Sequence, residues 1–328
     1  MNCIEDIYDI AVERENLMSV MIEVTSLCNW KCEHCYVSDS AQDKYNLDNL
    51  RQLFVKFREK GVNEIVFIGG EMFVKKDMIE IIALARSMFF KVVLESNISL
   101  LDKEKIKKLS ELYVSEVSCS VFSLDEKIHD SITGVKGSLN KVLKNLELLK
   151  EYNINTIVKT PLMRKNKYDF RNLYTYCLEK GFGYIVEAHL FPKRNGDTVE
   201  SLSLLSDDIK DIVDEIDKIN MIRFSTRNLD SYPCPNTRIS LFLDSQGEVY
   251  PCVNYRQSIG NIFFDNLHDI WNNTKRKEIA NLKHKDLKDC INCKNLNKCI
   301  PCPGVSHMES GNILNCTNGR LRMADCRR

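Results

Sequence analysis

The chain has 328 residues, 44% of them hydrophobic, enough to bury a sizeable core in one large domain or two ordinary ones. Lysine plus arginine equals aspartate plus glutamate at 46 each, which leaves no net positive field to draw nucleic acid or an anionic membrane. No apolar run approaches the roughly 18 residues that span a bilayer, and the acidic N-terminus lacks the basic start and apolar core of a signal peptide, so a cytoplasmic location is expected.

In that compartment the fourteen cysteines read as metal or redox ligands ahead of disulfides. Three sit at positions 28 to 35 and eight between Cys234 and the C-terminus. The scattered Cys3, Cys119 and Cys177 read as small buried hydrophobes.

Residues 1–17 form an N-terminal extension. From Met18 to His189, β-branched runs alternate with amphipathic patterns. The predicted strands are 18–25, 64–68, 91–96, 116–122, 154–160 and 183–189. Between them, Leu47, Leu50, Leu53, Phe54 and Phe57 recur at helical spacing, as do Leu139, Val142, Leu143, Leu146 and Leu149. Strand followed by helix, six times over, predicts a parallel sheet with helices packed outside, either an incomplete α/β barrel or an open doubly wound sheet. After Asn195-Gly196 a polar segment with a helical stretch near 205–219 reads as a linking or bridging region over 197–230. The remainder, 231–328, is rich in cysteine and turns, and there are no internal repeats. The lysines of residues 283–298 read as a solvated face near anionic thiolates.

The run CNWKCEHCY, Cys28 to Tyr36, supplies three thiols with gaps of three and two. A closed structural zinc site takes four protein ligands, whereas three cysteines on a four-iron cubane leave one iron open to a small molecule. The run follows the first strand, at the carboxyl end where parallel α/β folds build their sites.

CNWKCEHCY resembles the C-x3-C-x-Φ-C signature of the radical S-adenosylmethionine (SAM) enzymes, with His34 in the usually aromatic Φ position. Gly69-Gly70-Glu71 after the second strand is similar to the family's GGE, Asn97 to an asparagine in a TNG-like turn, and Ser120 to a ribose-contacting serine. The resemblance implies that SAM chelates the open iron and yields a 5′-deoxyadenosyl radical. It also implies that Glu71 accepts from the SAM ammonium, and Lys159 is a candidate partner for the SAM carboxylate. The glycines are expected to let backbone approach the ligand. Strand alternation puts Ser118 and Ser120 on one face and Cys119 on the other.

The later cysteines, Cys234-x12-Gly247-x4-Cys252, then Cys290-x2-Cys293-x5-Cys299-x2-Cys302, then Cys316, resemble the SPASM extension of radical SAM enzymes. GEVYPC (247–252), GNI (260–262) and CPG (302–304) match it as well. The last gap of the four-cysteine run is two residues where the family has three. The resemblance implies one auxiliary cluster on Cys290, Cys293, Cys299 and Cys316, and another on Cys234, Cys252 and Cys302 whose fourth ligand is open or Cys326. A zinc ribbon on Cys290, Cys293, Cys299 and Cys302 would leave the other cysteines unexplained, and its pairs would stand too close.

The expected fold is α/β, a partial (β/α)6 TIM-like barrel with a C-terminal cysteine-rich SPASM domain. The expected cofactors are three [4Fe-4S] clusters and SAM. The leading function is a peptide maturase that abstracts hydrogen from a ribosomally made precursor, with a thioether crosslink as the favoured product. Carbon-carbon crosslinking or epimerisation, formylglycine formation, and a non-catalytic electron carrier are the alternatives. The implied partners are the precursor peptide and an electron donor such as flavodoxin or ferredoxin. Only about twenty residues precede the barrel, a fraction of a folded module, so leader recognition would fall to a separate protein or to the barrel itself.

Overall fold

The computed structural model describes residues 3–37, 43–193 and 199–327, with the side chains of residues 3–6 outside the description. Six strands carry the first half of the chain: β1 (Ser19–Glu23), β2 (Glu64–Ile68), β3 (Lys91–Glu95), β4 (Glu116–Ser120), β5 (Thr156–Pro161) and β6 (Gly183–Glu187). Each pairs in parallel with the next, in the order 1-2-3-4-5-6. A doubly wound sheet reverses direction at a switch point. This order has none, so the partial barrel is the architecture.

The connecting helices form for local reasons. The helix Leu47–Lys60 starts at a reciprocal cap between Asn46 and Asn49 and stops at Gly61, whose φ of 95° a side chain would oppose. It buries Leu50, Leu53, Phe54 and Phe57 against the sheet. The helix Ser138–Glu151 buries Leu139, Val142, Leu146 and Leu149 in the same core. Cys119 and Cys177 are both buried in that core.

The sheet does not end at β1. Residues of the cysteine-rich region supply β7 (Ser240–Leu243), parallel to β1, followed by antiparallel β8 (Glu248–Tyr250) and β9 (Gly260–Asn261). One nine-stranded sheet therefore runs through both halves of the chain.

The N-terminal extension is a helix, Cys3–Arg14, locked to the same region. Arg238 donates to the carbonyls of Val12 and Glu13 at its C-terminal end, and Glu15 pairs with Arg276 at 2.8 Å and Arg238 at 3.2 Å. Both guanidiniums are almost fully buried, and that of Arg276 stacks on Trp271. Burial on this scale is tolerable only because charge and hydrogen bonds are supplied together.

The bridging helix Ser206–Ile219 packs Ile209, Ile212, Val213 and Ile216 with Phe170 and Val186 in a second core. Just after it, the Asn220 amide accepts from Val186 N–H and donates to Val186 C=O, satisfying both backbone groups at the outer edge of β6. No helix among the described residues is long and apolar enough to cross a membrane.

Candidate active site and cysteine groups

The carboxyl ends of β1–β6 surround a cavity of about 330 Å³ whose wall includes Cys28, Cys32, Cys35, Gly70, Ser120 and Lys159. Its cysteine loop is held from two sides. On one side, Gly70 N–H donates to Thr25 C=O and Glu71 N–H to Leu27 C=O. On the other, Lys31 N–H and Glu33 N–H donate to the carbonyls of Thr133 and Ile132, at the end of the helix Glu126–Thr133. Trp30 packs edge-on against His129, which fixes the middle of the loop.

Gly69 and Gly70 serve this loop. A Cβ on Gly70 would lie 2.5 Å from the Leu27 carbonyl oxygen, and one on Gly69 would lie 2.7 Å from that of Thr25. Both glycines line the cavity, but their lack of side chains is first required by the segment that leads into Cys28.

The three thiols sense one another. Burial pushes Cys28 up to about 11, with the charges of Glu71 and Cys35 adding to the rise. Burial also raises Cys32, with Cys35 and Cys28 acting in the same direction. His34 stands on Phe122 at 5.1 Å, and burial together with Lys193 lowers its pKa to about 4, so its imidazole is neutral. Its Nδ1 is buried without a hydrogen-bond partner.

Two sequence-based assignments change here. Glu71 is not on the cavity wall: it is fully buried and accepts from Phe73 N–H at 3.0 Å, Asn97 N–H at 2.7 Å and Ser96 Oγ at 2.8 Å. Its oxygens are spent inside the protein, not held out to an ammonium. Lys159 is on the wall but pairs with Glu95 at 2.8 Å, so a ligand carboxylate would have to compete with that residue.

Ser120 lines the cavity as expected from its strand position. Sequence reasoning missed Glu95, Glu187 and His189, which also line it. The available signal was that both acids end strands whose carboxyl termini face the site. His189 is seated by the C-terminal helix Asn318–Cys326, where a Cβ on Gly319 would lie 1.8 Å from the imidazole.

The later cysteines fall into two sets. Burial raises the pKa of Cys290, Cys299 and Cys316, and the charges of the other thiols of this set, Cys293 among them, add to the rise. Arg320 and Arg327 oppose the rise at Cys299. Cys234, Cys252 and Cys302 form the second set, in which burial, then the other two thiols, push Cys252 up to about 12.

Cys234 and Cys302 occupy N-cap positions, each followed by proline in the first turn. Gly304, in the first turn of the helix that Cys302 caps, leaves 3.2 Å between its absent Cβ and Cys252 Sγ. Burial raises the pKa of Cys234, and the backbone N–H groups of Thr237 and Asn236 in that first turn oppose the rise. Cys326 does not join this set: its thiol donates to Ser206 C=O on the bridging helix, beside Lys210 and Asp207. The Cys3 side chain lies outside the described residues.

Comparison with known proteins places these features in a family. The radical SAM superfamily model matches residues 22–177, and that of the SPASM iron-sulfur cluster-binding domain matches 234–294. The chain belongs to the radical SAM superfamily and carries a SPASM domain. Its cofactors are accordingly SAM and [4Fe-4S] clusters, and the residues present suit them: three mutually coupled thiols in a cavity, and two further thiol sets.

The radical SAM chain is 27% identical over 270 residues to the antilisterial bacteriocin subtilosin biosynthesis protein AlbA of Bacillus subtilis, covering 76% of this chain and 58% of AlbA. It is 26% identical over 172 residues to the AdoMet-dependent heme synthase of Nitratidesulfovibrio vulgaris, covering 52% and 46%. The chain thus spans about half the length of these curated relatives. In fold it is similar to Streptococcus suis SuiB bound to SAM, with a TM-score of 0.72 at 16% identity over 95% of this chain and 80% of SuiB. SuiB has also been solved with its precursor peptide SuiA.

Proposed function

We propose that this radical SAM chain is a peptide maturase in which Cys28, Cys32 and Cys35 hold the SAM-binding cluster. Cys290, Cys293, Cys299 and Cys316 hold one auxiliary cluster, and Cys234, Cys252 and Cys302 hold a second. When bound, SAM and its cluster supply a carbon-centred radical that removes hydrogen from an unactivated C–H bond. The chain's own residues shape the cavity around that chemistry: Ser120 and the Glu95–Lys159 pair present polar groups, while His34 and Phe122 close an apolar side.

A ribosomally made precursor peptide is the substrate this reading favours, in keeping with the relative named for bacteriocin biosynthesis and with the SuiB–SuiA structure. The observation that carries the choice of product is the Cys234, Cys252, Cys302 set, which has no fourth thiol among the described residues. An iron left without a protein thiolate can bind a substrate cysteine, so a thioether is the product expected over carbon-carbon crosslinking, epimerisation or formylglycine. Reduction would come from a flavodoxin- or ferredoxin-type donor.

The heme synthase relative supports a second reading, a porphyrin substrate. Co-expression with short cysteine-containing open reading frames beside the gene, followed by mass spectrometry, separates the two. Loss of two hydrogens from one such peptide, mapped to a thioether, is expected. SAM cleavage stimulated by an iron porphyrin and by no peptide would overturn the maturase reading.

A further inference from the structure

The turn after β3 is tied to the cysteine loop by a closed set of side-chain hydrogen bonds. The Asn97 amide nitrogen donates to Asn29 Oδ1 at 2.9 Å and lies 3.9 Å from Cys28 Sγ, so each of its two hydrogens has an acceptor. Asn97 Oδ1 accepts from Ser99 N–H at 2.9 Å and Ser99 Oγ at 2.8 Å, and Asn29 Nδ2 donates to Ser99 Oγ at 2.9 Å. Asn29, Asn97 and Ser99 therefore form a ring in which the orientation of the Asn97 amide is fixed at both ends.

The backbone beneath that ring is fixed too. Glu71 accepts from Asn97 N–H and from Ser96 Oγ, and Ser96 Oγ also accepts from Ile98 N–H. Asn145 donates to the carbonyls of Ile98 and Leu101 from the helix Ser138–Glu151. Asn97 is buried in the cavity wall, with both polar atoms of its amide engaged by protein groups. Trp30 N–H supplies a second donor to Cys28 Sγ at 3.3 Å.

We propose that Asn97 is a positioning residue for the Cys28 thiolate, held by Glu71 and Asn29, and that its amide tunes the reduction potential of the cluster bound there. N–H donors to a ligating sulfur stabilise the negative charge that builds up on reduction, and so raise the potential. Glu71 acts through Asn97, which explains why a carboxylate from the GGE turn is spent on the protein interior. The proposal rests on the reading that Cys28, Cys32 and Cys35 hold the SAM-binding cluster.

The test is an EPR-monitored redox titration of anaerobically reconstituted full-length protein, following the signal that added SAM perturbs but titrating before SAM is added. Asn97→Leu keeps the branched four-atom side chain and removes both N–H groups. It should keep wild-type iron content and the SAM-induced spectral change while moving the midpoint to a more negative potential. A wild-type midpoint in that variant overturns the proposal, all the more so if the SAM-induced change is lost, because Asn97 would then be a SAM contact. If Asn97→Leu fails to assemble, Asn29→Ala leaves Asn97 in place but releases its amide. A smaller negative shift in Asn29→Ala supports the proposal, and no shift overturns it. Survival of the SAM-responsive signal in Cys28→Ala would refute the cluster reading itself, independently of the relay.

Discussion

The two cysteine sets of the C-terminal region differ in ways that suggest different work. Cys290, Cys293, Cys299 and Cys316 offer four thiols among charges of both signs: Arg320 and Arg327 act on Cys299, whose carbonyl accepts from Arg227 at 2.6 Å, while Asp289 acts on Cys290 and Asp289, Glu309 and Asp325 act on Cys316. Cys234, Cys252 and Cys302 offer three, two of them at helix N-caps, with no arginine among the causes that shift Cys234 or Cys252. A cluster saturated by four thiolates is suited to accept and pass an electron, and the arginines beside Cys299 favour its reduced state. A three-thiol cluster keeps a coordination position for something else. One region can thus hold an electron relay and a substrate anchor.

Removing the metal altogether should have the largest effect. Much of residues 231–328 is short helices and turns, so cluster binding is expected to contribute folding free energy there. Chelation under reducing conditions should make this region protease-sensitive while the barrel strands β1–β6 stay protected. Equal sensitivity of both would show that the region folds on its packing alone.

Iron counting separates the sets. Fully loaded protein should carry about twelve irons and Cys252→Ala about eight, since each cubane holds four. Cys326→Ser should stay at about twelve, because its thiol is committed to Ser206 and is not coupled to the three-thiol set.

A third effect concerns how the region is held to the barrel. Glu15→Ala would leave Arg276 and Arg238 buried without their carboxylate, at a cost of roughly 3 kcal/mol, readable as a lowered midpoint in denaturant. An unchanged midpoint would mean that cation-π stacking on Trp271 and backbone acceptors suffice.

The smallest expected change is at Arg320. Arg320→Met should lower the potential of the four-thiol cluster and leave the other two unchanged, as seen in the same EPR titration. A shift at the three-thiol cluster instead would reverse the contrast between the sets.

Much of this architecture was legible in the sequence, for identifiable reasons. The six predicted strands correspond to β1–β6 because alternation and β-branched content are local signals, and the helical stripes at Leu47–Phe57 and Leu139–Leu149 are buried as their spacing implies. The partition of the later cysteines into sets of four and three came from resemblance, since spacing alone does not say which thiols meet. What stayed hidden is long-range. The four residues of β7 carry no mark of pairing with β1, more than two hundred positions earlier. Glu71 looked like a ligand group because a sequence does not show that Ser96 and Asn97 already occupy its oxygens. Lys159 looked like a free cation because Glu95 reaches it across β4, from a strand that is not its neighbour.

The contrast between the two sets is tested most directly by offering a thiol to the protein. In a variant with Cys28, Cys32 and Cys35 all changed to Ala, only the two auxiliary clusters remain, and glutathione, a small cysteine-containing peptide, serves as the probe. Glutathione should change the EPR spectrum of one reduced cluster, and Cys252→Ala in that background should abolish the response. Superimposable spectra with and without glutathione, or a response that survives Cys252→Ala, would contradict an open position on the three-thiol set.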